Sequence, residues 1–254
     1  MGFLQLGEHK ERVLTGLTLL GAVLLLGIIN NFFLFWLVFG AIYLLAFYEA
    51  AKLFQVETTN SLYAYAAILW IVAAFYPYGD DLFVIAGIIF ASFVAYSQKL
   101  EWKNFLPFIY PTAGMLFILA LYNEYGITAL FWLLVVIAMT DVGAYYVGKN
   151  IGKTPFSPTS PKKTMEGVVG GVVLATVTGL FVGITIVDTE IAIVISLLTA
   201  LSSVFGDLFE SYLKRKAGVK DSGDILPGHG GILDRIDGYL FGAIIMLVLL
   251  RGLV

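Results

Sequence analysis

Three acidic residues stand inside apolar stretches of the chain, where a carboxylate is costly. Asp141 lies in IAMTDVGAYYVG, and Asp207 and Glu210 lie in SSVFGDLFESYLKR. A carboxylate at the centre of a membrane-spanning helix costs at least about 2.5–3.5 kcal/mol. Such residues therefore need a cationic partner, a metal ion or water, and they indicate a functional site. Taken alone, Asp141 also fits a helix-end acid that reaches headgroup water.

The second of these stretches carries four polar residues on one helical face. They occur at i, i+3, i+4 and i+7 and are Asp207, Glu210, Ser211 and Lys214. Residues at this spacing project from the same side of a helix. On a soluble helix the pattern would be an ordinary amphipathic surface, but on a membrane helix it must face a polar cavity.

A polar loop follows this segment and reads KDSGDILPGHGGILDRIDG. Asp234 and Asp237 are three residues apart, with Arg235 between them, and glycines flank His229. Glycine permits backbone shapes closed to other residues, and its amide can approach an anion closely. The alternative is a flexible connector whose charges are simply solvated.

An earlier polar loop, GKNIGKTPFSPTSPKKTMEG, offers Ser160, Lys162 and Lys163 as phosphate ligands. The same lysines would also suit an ordinary cytoplasmic loop. Carboxylate oxygens suit Mg²⁺, and cations suit phosphates. Together they are the requirements of phosphoryl or nucleotidyl transfer, in which charge builds up on phosphorus and the leaving group. An acceptor phosphate monoester could attack directly, so no protein nucleophile is needed.

The composition indicates which elements must position these residues. The chain is 59% hydrophobic and only 13% charged, with a mean hydropathy of +0.91 and no cysteine. These values exclude a soluble globule, a nucleic-acid binder and a disulfide or thiolate site. The sequence predicts an all-α, polytopic integral membrane protein. Nine apolar segments are candidate spans: Val13–Ile29, Phe32–Tyr48, Leu62–Tyr76, Leu82–Tyr96, Phe105–Tyr122, Ile127–Val147, Val168–Val187, Ile191–Tyr212 and Ile236–Leu250.

The positions of the basic residues predict the orientation. With a cytoplasmic N-terminus and nine spans, 14 of the 15 Lys and Arg residues fall on the inside, and Arg251 is the exception. The polar loops at 148–167 and 213–235 then both lie on the cytoplasmic side. We therefore divide the chain into N-terminal spans at 1–126 and a catalytic region at 127–254, with a polar cavity open to the cytoplasm.

A long gapped motif then gives a resemblance to a known family. The stretch SYLKRKAGVKDSGDILPGHGGILDRID, from Ser211 to Asp237, resembles the signature of the phosphatidate cytidylyltransferases. GDLFES just before it, SPKKTMEG, and Asp141 with Ala144 and Tyr145 also resemble family segments. The resemblance is specific over residues 141–237, whereas the N-terminal helices match only as hydrophobic spans.

The resemblance implies that CTP and phosphatidate, a membrane lipid, give CDP-diacylglycerol and pyrophosphate with Mg²⁺, and that the chain is a homodimer. The resemblance implies that Asp207 and Asp234 bind the metal ion, with Glu210 and Asp237 as further ligands. Whether a second cation, monovalent or divalent, also binds is left open. The implied substrate-binding and catalytic residues are Ser160, Lys162, Lys163, Ser211, Lys214, Arg215, Lys220, His229 and Asp141. His229 would bind phosphate or shuttle a proton.

Three other functions remain open from the sequence. A lipid kinase that uses CTP would need the same cations and metal but would release CDP. A transporter would use the intramembrane acids as a permeation path. An inactive scaffold would bind lipid without needing a metal. The basic cytoplasmic loops favour a bacterial inner membrane with the active site on the cytoplasmic side.

Overall fold

The computed structural model describes residues 16, 18, 21–57, 59–226 and 230–254. His229 and the beginning of the span predicted at 13–29 lie outside these residues. Residues 21–29 are helical and form α1. They are followed by α2 (Phe32–Leu53), α3 (Asn60–Ala73) and α4 (Asp81–Ser97). Asn31 and Thr59 begin α2 and α3, since their side-chain oxygens accept hydrogen bonds from Leu34 N and Leu62 N.

The middle of the chain contains one long, interrupted helical run. A 3₁₀ turn at Trp102–Phe105 and a π-helical turn at Phe108–Thr112 lead into α5, Ala113–Ile151. Gly126 breaks α5 with a φ of +71° and a ψ of −168°. Only glycine adopts such a backbone readily, so the run comprises two helices that meet there. These two helices correspond to the spans predicted at Phe105–Tyr122 and Ile127–Val147.

The C-terminal part holds the remaining helices and one feature that the sequence did not predict. Strands β1 (Pro155–Ser157) and β2 (Ser160–Thr164) pair antiparallel as a short hairpin within the loop at 148–167. Helices α6 (Met165–Gly183), α7 (Thr189–Ala217) and α8 (Leu233–Leu253) follow. The all-α prediction is therefore confirmed apart from this hairpin.

The helices agree with a membrane protein. Five helical segments in the described part of the chain are long and apolar enough to cross a bilayer: Phe32–Leu53, Trp102–Ile151, Met165–Gly183, Thr189–Ala217 and Leu233–Leu253. Helices α3 and α4 are apolar but shorter. Each predicted span from Phe32 onward coincides with a helical segment, whereas the number of crossings stays a prediction.

Glycines bring α5 and α6 into backbone contact. A Cβ added to Gly143 would lie 2.7 Å from Gly171 Cα, and one added to Gly167 would lie 2.7 Å from Ala144 O. A Cβ on Gly171 would collide with Thr140 O. Small residues allow this close approach of membrane helices. The crossing fixes the start of α6, and with it the hairpin that carries Lys162 and Lys163.

Arg251, the one basic residue predicted on the outside, is paired with two acids. Its guanidinium contacts Asp80 at 2.6 and 2.9 Å, and it also donates to Glu124. Asp80 directly precedes α4, and Glu124 lies two residues before the break in α5. The exception to the positive-inside pattern is thus compensated by ion pairing, which joins the last helix to the N-terminal half.

Candidate active site

The hairpin meets α7 through an ion pair. Lys163 on β2 donates to Asp207 Oδ2 on α7, and Ser211, one turn further along α7, donates to Asp207 Oδ1 at 3.3 Å. Both charged side chains are partly exposed, at 26% and 31%. A lysine from the first polar loop is therefore held against an acid from the predicted helical face. The first polar loop therefore contacts the polar face of α7.

Lys214 forms the centre of a second, more deeply buried cluster. Its ammonium contacts Glu210 on the preceding turn and lies 2.5 Å from Asp234 Oδ1 at the start of α8. The Glu210 side chain is fully buried and that of Lys214 is 11% exposed. Although Lys214 lies within ion-pair distance of Glu210, neither Glu210 oxygen has a hydrogen bond of good geometry. An uncompensated charge at this depth would be strongly unfavourable, so Lys214 is needed by both acids.

Asp234 organises the loop between α7 and α8. Helix α7 ends at Ala217, and Gly218 follows it with a φ of +75°, which reverses the chain. Asp234 Oδ2 then accepts hydrogen bonds from Ser222 N at 2.9 Å, Ser222 Oγ at 3.0 Å and Gly231 N at 2.8 Å. With Lys214 on its other oxygen, Asp234 has partners on both sides of its carboxylate.

Asp237 lies where α7 and α8 cross. A Cβ on Gly206 would lie 2.6 Å from Asp237 O, so the two backbones touch at this point. Asp207 directly follows Gly206, and both carboxylates therefore belong to the crossing. Asp237 is half-buried, and its Oδ1 accepts a hydrogen bond from Gly238 N at 2.7 Å.

The other predicted site residues are more peripheral. Lys162, Lys220 and Arg215 are exposed, and Arg215 donates to Val219 O at 3.1 Å near the end of α7. This contact serves the end of the helix rather than the acid cluster. Ser160 is half-buried on β2, and Asp141 is exposed on α5.

Sequence reasoning missed two buried polar side chains in the N-terminal half. Glu49 on α2 is 1% exposed and contacts the loop before α8. Tyr110 is 4% exposed; its ring packs edge-on against Phe209 of α7, and its hydroxyl has no hydrogen bond within the described part of the chain. Glu49 stands in the apolar stretch AFYEAAKL. The criterion applied to Asp141, an acidic residue within an apolar stretch, could therefore have identified Glu49 as well.

The chemistry of the acids fits a hard cation. Their carboxylate oxygens are the donors that Mg²⁺ prefers, and Glu210 has both oxygens free of directed hydrogen bonds. In the arrangement described, however, Lys163 and Lys214 neutralise the acids in two separate groups. Across the described ranges no three His, Asp or Glu side chains converge on a common metal position.

The sequence of the chain is similar to those of known proteins. The model of the cytidylyltransferase family matches residues 10–253. A phosphatidate cytidylyltransferase of Helicobacter pylori strain J99 is 47% identical over 97% of this chain and 93% of its own length. A phosphatidate cytidylyltransferase of Bacillus subtilis is 35% identical, covering 92% of this chain and 94% of its own length. One from Thermotoga maritima is 35% identical over 80% of this chain and 83% of its own length. The chain belongs to the cytidylyltransferase family.

Proposed function

We propose that this enzyme is a phosphatidate cytidylyltransferase, which transfers the cytidylyl group of CTP to phosphatidate. The observation that carries the proposal is the contact of Lys163 with Asp207, because it joins a cationic hairpin to the acidic face of α7. A triphosphate needs such cations, and the names of the similar proteins supply the acceptor. The membrane helices beside the cluster suit a lipid substrate.

In the proposed reaction, a phosphate oxygen of phosphatidate attacks the α-phosphorus of CTP. A new P–O bond forms, the bond from the α-phosphorus to the bridging oxygen breaks, and pyrophosphate leaves with that electron pair. Lys162, Lys163 and Lys220 bind the phosphates, and Lys214 and Arg215 stabilise the charge that develops during transfer. Ser160, Ser211 and Asp141 orient the substrates, and His229 binds phosphate or carries a proton.

Asp207, Asp234, Glu210 and Asp237 are the proposed ligands of Mg²⁺. When bound, the ion would neutralise charge on the phosphates and orient them. The lysines that contact these acids would then be released toward the phosphates of the substrates. Lys163 is the better suited of the two, since it comes from a hairpin and is partly exposed.

The membrane arrangement is part of the proposal. We propose nine crossings, an active site on the cytoplasmic side of a bacterial inner membrane, and a homodimer. CTP is a cytosolic solute, so the loops that bind it must face the cytoplasm. A lateral opening between the helices would admit the two acyl chains of phosphatidate.

The test is a pyrophosphate-release assay on the purified protein in detergent with CTP, phosphatidate and Mg²⁺. We expect release only when all three are present, with CDP-diacylglycerol as the lipid product. Formation of CDP instead of pyrophosphate would indicate a CTP-dependent lipid kinase and would overturn the proposal. Activity that persists in EDTA would remove the acids from a role in metal binding.

A further inference from the structure

A buried acid on α2 contacts the loop that carries the proposed site, although the two lie far apart in the sequence. Glu49 accepts hydrogen bonds from Ser222 Oγ at 2.9 Å, Ile232 N at 3.0 Å and Leu233 N at 2.8 Å. Its side chain is 1% exposed. These bonds satisfy a carboxylate that would otherwise be costly to bury.

Glu49 supplies the cap that α8 lacks locally. The first amides of a helix have no partner within the helix and need an acceptor from elsewhere. Ile232, at the N-cap position of α8, makes no side-chain capping bond. The carboxylate of Glu49 takes this role from another helix, where its negative charge also suits the positive end of the helix dipole.

The loop is shaped around this carboxylate. A Cβ on Gly223 would lie 2.5 Å from Glu49 Oε1, and a Cβ on Gly231 would lie 2.5 Å from Glu49 Oε2. While its hydrogen bonds hold Glu49 in place, a side chain at either glycine would collide with the carboxylate. The two glycines let the backbone approach the acid closely at both positions.

Ser222 connects Glu49 to Asp234. Its hydroxyl lies 2.9 Å from Glu49 Oε2 and 3.0 Å from Asp234 Oδ2, so one proton is shared between two carboxylates. Gly231, which packs against Glu49, donates its amide to the same Asp234 oxygen at 2.8 Å. The position of Asp234 therefore depends on Glu49 through two neighbours.

We propose that Glu49 is a positioning residue for nucleotidyl transfer, acting on Asp234 through Ser222 and the first turn of α8. This inference rests on the proposed function, because it assumes that the position of Asp234 determines the rate of nucleotidyl transfer. Glu49 would not touch CTP. Its loss should therefore lower the rate of the bound complex rather than the affinity for CTP.

The test compares Glu49→Gln with the wild-type protein in the pyrophosphate-release assay. Glutamine keeps one acceptor oxygen, but its NH2 group would face either Ile232 N or the pair Leu233 N and Ser222 Oγ, so at least one donor loses its acceptor. We expect kcat to fall by about tenfold or more while KM for CTP changes by less than about twofold. The matched control is Glu57→Gln, an exposed acid near the end of α2, which should keep the wild-type kcat.

Hydrogen exchange of the loop gives a readout that does not depend on activity. In Glu49→Gln at least one of the amides of Ile232 and Leu233 should exchange faster, whereas those in the middle of α8 should not change. If Glu49→Gln does not purify as folded protein, Ser222→Ala, which removes only the hydroxyl, should show the same fall in kcat.

The two proposals fail in different ways. Wild-type kcat in folded Glu49→Gln, or in Ser222→Ala when the first variant does not fold, would overturn the role of Glu49. So would a rise in KM for CTP at unchanged kcat. By contrast, a wild-type protein that releases no pyrophosphate would overturn the proposed function, while the exchange result would still report on the contact.

Discussion

Replacement of Lys214 by methionine should destabilise the protein strongly. Methionine is similar in length but has no charge, so Glu210 and Asp234 would both lose their cation. Glu210 is fully buried and Asp234 is 7% exposed, so water cannot replace the lost partner. Removing one member of a buried ion pair costs about 3–5 kcal/mol, and we expect a decrease of this size in the free energy of unfolding.

Lys163→Met is the matched control for this experiment. Lys163 and Asp207 are 26% and 31% exposed, so their pair is screened by water. An exposed ion pair contributes about 0.2–1 kcal/mol, so the free energy of unfolding should decrease only by this amount. Both variants would be unfolded with denaturant in the same detergent with EDTA present, so that no Mg²⁺ replaces the lost lysine, and helical circular dichroism would be the measurement.

A double variant separates the charge effect from the loss of packing. Glu210→Gln in the Lys214→Met background removes the uncompensated buried charge, so part of the lost stability should return. A cycle of the wild type, the two single variants and the double variant measures this coupling. Equal losses in Lys214→Met and Lys163→Met, or no recovery in the double variant, would refute the reasoning from burial.

Three further predictions concern the site and its support. Asp234→Asn should reduce pyrophosphate release below about 1% of wild type while the protein still elutes as a single folded species; near-wild-type activity would remove Asp234 from the site. Lys162→Ala should raise KM for CTP by about tenfold. The stability of the protein should change little, because the side chain is exposed. Unchanged kinetics would mean that the lysine serves only to orient the chain in the membrane. Gly171→Val should lower both the melting temperature and the activity, since its Cβ would collide with Thr140 O where α5 and α6 cross; a fully stable and active variant would contradict that contact.

Much of the fold follows from local patterns. Apolar runs predicted the helical segments from Phe32 onward, because a membrane helix needs a continuous apolar stretch. The spacing of Asp207, Glu210 and Lys214 predicted their common face, since helical periodicity depends only on the sequence separation. The hairpin at 155–164 was missed because its strands have only three and five residues and lie among prolines.

The pairing within the site could not be predicted in the same way. Lys163 and Asp207 are 44 residues apart, and Glu49 is more than 170 residues from Ser222. Such contacts depend on how helices pack, which residue spacing alone does not determine. The sequence identified which acids needed partners but not which lysine each acid would take. Arg251 likewise could be recognised as an exception without its partners being known.

Helix α8 is held at both of its ends. Asp234 in its first turn is bound to Lys214 and Ser222, while Arg251 near its last residue is bound to Asp80 and Glu124. These anchor points are separated by about 25 Å along the axis. A movement of α8 along its own axis would have to break the ionic contacts at both ends of the helix at the same time. Helix α8 should therefore keep its axial position while substrates enter and leave, so a lateral opening must come from movement of neighbouring helices.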